Sequence, residues 1–210
     1  MHALLPRFAL FALFLRSLAT AIPDDSPPKD QFYIKGINYA GSGCPAGSIA
    51  PDTSPASTAC DISIAFDSLF PYPEPDSNPN EARRNCQVTF ELQFPAGWSL
   101  TIIEMSTSGY IHLDEKFSAM LQATFRWATQ STRATVNSPW VGPIHGNVTF
   151  VDELASEELV WSSCNGGSHS LIITTSIQID NSKNPKASSM VPKGIDKTLT
   201  QTFYCQWRRC

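Results

Sequence analysis

The sequence predicts an all-β protein, an antiparallel β-sandwich cross-linked by disulfides. Apolar and polar side chains alternate with a period of two, turn residues punctuate the alternating segments, and six cysteines follow an export signal. Helical periodicity is weak, and strands do not alternate with long helices as they do around a parallel sheet. Alternation assigns sheet faces and says nothing of sheet closure, so a β-barrel is the alternative architecture.

The chain opens on Met1 to Arg7 and an apolar run from Phe8 to Leu15, and Ala19-Thr20-Ala21 places small residues where a signal peptidase inspects them. A bilayer takes about 20 apolar residues to cross. The shorter run is therefore expected to be a signal peptide over residues 1–21, removed after Ala21. Residues 22–31 are polar and proline-rich and read as a disordered leader. Residues 32–210 form one β-sandwich domain, with no later stretch apolar and long enough for a membrane helix. The formal net charge is −4, and loss of Arg7 and Arg16 with the signal makes the mature chain more acidic. An acidic surface repels phosphate backbones, so nucleic acid is not an expected partner.

Strands follow in order. Cys60, Ile62, Ile64 and Phe66 share one parity, as do Val88, Phe90, Leu92 and Phe94. Phe117, Ala119, Leu121, Ala123, Phe125 and Trp127 form a third set, and Leu171, Ile173, Ile177 and Ile179 a fourth. Further strands are expected at 32–39, 99–113, 145–152 and 198–208. Pro95-Ala96-Gly97 predicts a hairpin connection, Ser138 to Pro143 a loop, and Asn165-Gly166-Gly167 a turn. Residues 45–58 and 71–80 are rich in Pro, Ser, Asn and Gly and predict long surface loops. Asp152 to Leu159 is the one segment with helical character, enough for a turn or two.

An even cysteine count in an exported chain reads as a disulfide set. Parity turns Cys60 and Cys205 into the core, where they would bridge the sheets; Cys86 would then meet Cys44, leaving Cys164 for Cys210. Other connectivities stay open. Metal ligation by these cysteines is not expected, because no CxxC pair occurs.

Asn147-Val148-Thr149 is an N-glycosylation acceptor. His112, His145 and His169 are far apart along the chain without metal-ligand spacing, so no metal or cofactor is expected. The GxSxG nucleophile elbow is missing. Adjacent acids at Asp114-Glu115, Asp152-Glu153 and Glu157-Glu158 do not make the opposed pair that glycoside hydrolysis needs, because neighbours in a strand point to opposite faces. Two acids from different strands could, with Asp67 and Asp114 the first to inspect. Trp98, Trp140 and Tyr72 lie in or beside predicted loops and are candidates for stacking on sugar rings, against the plainer role of covering the end of the core. Trp161 and Trp207 are expected to pack on the core or the disulfides. Arg83-Arg84 and Arg208-Arg209 each precede a cysteine and are expected to brace the bridges.

The segments Gly41-Ser42-Gly43-Cys44-Pro45, Phe66-Asp67-Ser68-Leu69, Arg83-Arg84-Asn85-Cys86, Gly109-Tyr110 with Leu113-Asp114, Trp161-Ser162-Ser163-Cys164 and Gln206 to Cys210 occur in one order. In these the chain resembles a family of small secreted proteins, common in filamentous fungi, known as a domain of unknown function. The resemblance covers residues 38–210 and implies a secreted, disulfide-stabilised β-rich domain without assigned catalytic residues. Cys60 and Cys205 look like additions to the family's usual four cysteines, which suggests an extra bridge.

The expected function is that of a non-enzymatic binding or effector-like module outside the cell or at its wall, with a wall polysaccharide or an extracellular protein as partner. A carbohydrate-active hydrolase and a structural wall or matrix protein are the alternatives. A groove with two close acids and aromatic walls would favour the hydrolase, and a flat aromatic patch without such acids would favour binding.

Overall fold

A computed structural model describes residues 26–52, 61–71, 83–183 and 198–210. The signal peptide, Cys60, Tyr72 and most of the 71–80 loop lie outside the described residues. The described chain is built from β1 (Tyr33–Ala40), β2 (Ile49–Asp52), β3 (Ile62–Phe66), β4 (Arg83–Phe94), β5 (Trp98–Leu113), β6 (Ser118–Trp127), β7 (Ala134–Val141), β8 (Ile144–Glu153), β9 (Gly167–Asp180) and β10 (Leu199–Arg209). Single 3-10 turns stand at Lys29–Gln31 and Ser156–Glu158. The second is all that forms of the helix suggested for Asp152 to Leu159.

Every strand pairing is antiparallel. The strands make two five-stranded sheets, in the orders β1-β4-β9-β6-β7 and β2-β3-β10-β5-β8. Among the described residues each sheet ends on two strands without a further paired neighbour, so the sheets do not close into a barrel and the fold is a sandwich. The inward parities are those of the sequence. Val88, Phe90, Leu92 and Phe94 of β4, and Leu171, Ile173, Ile177 and Ile179 of β9, are buried against Leu100, Met105, Leu199 and Phe203 of the opposite sheet. Phe125 and Phe203 meet edge to face across the sandwich, 5.7 Å between centroids.

Three expectations of local structure change. Residues 45–58 are not wholly loop, because Ile49–Asp52 pairs with β3 as an edge strand. The Ser138–Pro143 loop is largely strand β7, paired with β6 from Val141 back to Ala134. Proline is compatible with a strand at a sheet edge, where its missing N–H interrupts no second ladder, and Pro139 sits on such an edge. Pro95-Ala96-Gly97 is not a hairpin turn. It carries the chain from β4 in one sheet to β5 in the other.

The core also contains a polar link that alternation did not flag. Thr175 of β9 donates to Gln201 Oε1 of β10 at 3.0 Å. Gln201 Nε2 donates to Thr107 Oγ1 of β5 at 3.3 Å and faces Met105 Sδ at 3.6 Å. All three polar residues are buried. Their mutual bonds remove the desolvation penalty that an unpaired amide would carry, about 1–3 kcal/mol.

Disulfides join Cys44 to Cys86 and Cys164 to Cys210, with Cα atoms 5.4 and 6.0 Å apart. Cys205 is also disulfide-bonded, and its expected partner Cys60 lies outside the described residues. The cysteine-bearing segments dock through more than sulfur. Ser42 Oγ donates to Asn85 Oδ1 at 2.8 Å and accepts from Asn85 N–H at 3.1 Å. The Gly43 N–H donates to the Asn85 carbonyl at 2.8 Å. A Cβ on Gly41 would lie 2.2 Å from that carbonyl oxygen, so close approach demands glycine there.

Candidate functional site

The sequence candidates fall in different places. Trp140 is the clearest correction: it is 2% exposed on the inward parity of β7, stacked on Phe150 at 4.6 Å between centroids. Its Nε1–H donates to Ser138 Oγ at 3.1 Å. A ring so enclosed cannot stack on a sugar. Trp98 opens β5, is 7% exposed, and has the Arg209 guanidinium 4.5 Å from its centroid. It too packs over the end of the core, which leaves little face for a ligand.

Asp67 is exposed after β3, where Oδ1 accepts from Thr198 Oγ1 at 3.2 Å. Asp114 lies in the turn after β5, where its carbonyl accepts the Phe117 N–H at 3.1 Å. Its carboxylate is 3.3 Å from His112 Nε2. The two acids therefore have separate partners. Asn147 is exposed on β8, opposite Tyr110 of β5.

The arginine pair before Cys210 braces the bridge region through aromatic faces. Arg208 sits 4.0 Å over Trp161, as Arg209 does over Trp98. Such contacts contribute about 0.5–1 kcal/mol each when exposed. The Trp161-Ser162-Ser163-Cys164 segment lies along the start of β5 without being a strand. Ser162 N–H donates to the Leu100 carbonyl at 2.8 Å, and Ser162 Oγ accepts the Leu100 N–H at 2.9 Å. Trp127 Nε1–H reaches the Val160 carbonyl at 3.0 Å, and Gln130 Nε2 the Trp161 carbonyl at 2.9 Å.

That docked segment forms one side of an open groove of about 610 Å³. Glu157, Glu158 and Trp161 line this side; Gln130, Arg133 and Asn137, from β7 and the turn before it, line the other. The lining combines planar hydrogen-bonding groups, charges of both signs and an indole. Both acids belong to the 3-10 turn Ser156–Glu158, and among the described residues no carboxylate lines the facing side. Hydrolysis by two carboxyls requires one on each side of the scissile bond. The groove thus has acids and an aromatic ring without the opposed pair. Sequence reasoning noticed Glu157-Glu158 and Trp161 separately. Their meeting with Arg133 and Asn137 depends on how 157–161 folds back along β5, which alternation does not encode.

A second cluster brings together two histidines that sequence spacing keeps apart. His112 and His145, unrelated by spacing along the chain, are paired directly across β5 and β8. Their Nδ1 atoms are 3.2 Å apart, and Asp114 completes a set of three potential metal ligands. Ladder register supplies the proximity that sequence spacing lacked.

Comparison with known proteins assigns the chain to a family. Residues 30–210 match the family described as Domain of unknown function (DUF4360). The chain belongs to that family. Family membership and an all-β sandwich agree with the resemblance read from the cysteine signatures. An "Uncharacterized secreted protein" of Arthroderma benhamiae is 24% identical over 186 residues, covering 89% of this chain and 75% of that protein. The DUF4360 chain is likewise a secreted protein. Among solved structures, TmCBM61 in complex with beta-1,4-galactotriose is 9% identical, with a TM-score of 0.32 over 85% of this chain and 91% of that one. TmCBM27, described for specific mannan recognition, is 9% identical, with a TM-score of 0.35 over 90% and 95%. At such scores neither structure bears on the ligand.

Proposed function

We propose that this secreted protein is a non-enzymatic binding module that takes a neutral, polyhydroxylated ligand, a wall polysaccharide, in the groove between β7 and the Glu157–Trp161 segment. The observation that carries this reading is the groove's lining: Arg133, Glu157, Glu158 and the Asn137 amide nitrogen offer donors and acceptors to hydroxyls, the face of Trp161 turned away from Arg208 offers an apolar surface, and the acids stand on one side only. Its volume lies within the roughly 300–1,000 Å³ common for ligand sites. Mixed charge at the groove suits a neutral sugar better than an anionic polymer.

Pull-down on insoluble wall polysaccharides, with a glycan array beside it, tests the assignment. Arg133→Ala and Asn137→Ala alter exposed side chains. Each is expected to weaken retention about tenfold, the loss of one charge-assisted or well-placed hydrogen bond. Failure to bind any polymer, or equal binding by both variants, refutes the reading.

Asn147 is proposed to carry an N-linked glycan. It is exposed on β8, the last strand of its sheet, where a bulky modification can extend into solvent. Treatment of the secreted protein with an N-glycosidase is expected to lower its mass, and Asn147→Gln to abolish that shift.

A further inference from the structure

The outer face of the second sheet carries a chemical site that the binding reading does not use. His112 and His145 stand opposite each other in register, ring centroids 4.4 Å apart and planes at 65°. Their Nδ1 atoms lie 3.2 Å apart in hydrogen-bonding geometry. On the far side of His112, Nε2 is 3.3 Å from Asp114 Oδ1.

For a neutral His112, the contact with Asp114 selects the tautomer. The carboxylate accepts only from a protonated nitrogen, so it holds the His112 proton on Nε2. In the neutral ring this leaves the Nδ1 lone pair turned toward Nδ1 of His145. The same division of labour, a carboxylate holding one ring nitrogen while the other binds a cation, recurs in histidine metal sites. Two imidazole nitrogens on a tetrahedral zinc ion, each about 2.0–2.1 Å from the metal, lie about 3.3 Å from each other. The observed separation matches that span.

We propose that His112 and His145 bind one zinc-class divalent cation through their Nδ1 atoms, with Asp114 as the positioning residue for His112. Imidazole nitrogen selects zinc, copper or nickel over calcium and magnesium, which prefer oxygen ligands. His145 is exposed and His112 half-buried, so solvent can supply the remaining coordination positions. The frame around the site is tight. A Cβ on Gly142, in the β7–β8 connection, would lie 2.1 Å from the Asp114 carbonyl oxygen. The turn that presents Asp114 is thus packed directly against the turn that leads to His145.

Isothermal titration of the secreted protein with zinc chloride tests the site, with calcium chloride as control. One saturable zinc site per chain and no calcium site are expected. His145→Ala and His112→Gln are each expected to abolish the saturable site while leaving the near-ultraviolet circular dichroism unchanged. Asp114→Asn keeps a hydrogen-bonding group but loses the charge, and is expected to weaken zinc about 10–100-fold. Substitution by cobalt(II) supplies a second readout, visible absorption bands that disappear in the histidine variants. Absence of saturable zinc binding, or the same stoichiometry in both histidine variants, overturns the proposal. Unchanged affinity in Asp114→Asn overturns the geometry assigned to it.

Discussion

Trp140→Ala is expected to destabilise the fold by about 3–5 kcal/mol, the usual cost of removing a large aromatic from a core. The indole is 2% exposed, stacks on Phe150 at 4.6 Å and lies parallel to Phe70 at 6.3 Å. Alanine leaves most of that volume empty, because the flanking rings belong to different segments and cannot collapse together without moving β8. Against a typical total stability of about 5–15 kcal/mol, this loss is large enough to lower secreted yield. Trp140→Phe separates packing from polarity. It keeps a ring but leaves the buried Ser138 hydroxyl without its indole donor, at a cost of about 1–3 kcal/mol. Urea titration of both variants by circular dichroism would show the ordering. An alanine variant as stable as the parent would mean that the ring lies outside the core and is again available to a ligand.

Burial geometry explains which parts of this fold were legible. Central strands such as β4 and β6 have neighbours on both sides and one face on the core, so their alternation is complete, whereas in β9 the inward Thr175 interrupts it. Edge strands β2 and β7 read as loops because each contains proline, which an edge tolerates and a central strand does not. The hairpin inferred at Pro95–Gly97 failed for another reason: a short turn between two strands looks alike whether they share a sheet or face each other across the core. The histidine pair was invisible because its two members lie 33 residues apart and meet only through the β5–β8 register. The cysteine signatures were legible as sulfur positions. Their serines and glycines carry docking contacts, as Ser42 does with Asn85 and Ser162 with Leu100, that no periodicity announces.

Removing the Cys164–Cys210 bridge as the double alanine variant is expected to cost about 4 kcal/mol, and to act mainly through the unfolded chain. The bridge closes a sequence separation of 46 residues, and the entropy it withholds from the unfolded ensemble corresponds to that magnitude. Both cysteines are exposed, so alanine leaves no cavity. Their backbones remain tied on either side of the β4–β5 connection: Gly97 N–H donates to the Cys164 carbonyl at 3.0 Å, and Cys210 N–H to the Gly97 carbonyl at 3.0 Å. The native spectrum should therefore stay unchanged while the urea midpoint falls. The Cys44–Cys86 bridge provides the contrast. Its separation of 42 residues gives nearly the same entropic term, but both cysteines are 1% exposed. Alanine there adds the loss of buried sulfur contacts, so this second double variant should unfold at the lower urea concentration. Equal midpoints for the two would mean that packing around the buried bridge contributes nothing beyond the cross-link. An unchanged midpoint for the exposed one would mean that the Gly97 hydrogen bonds and the arginine–tryptophan contacts, rather than the cross-link, hold the carboxyl end.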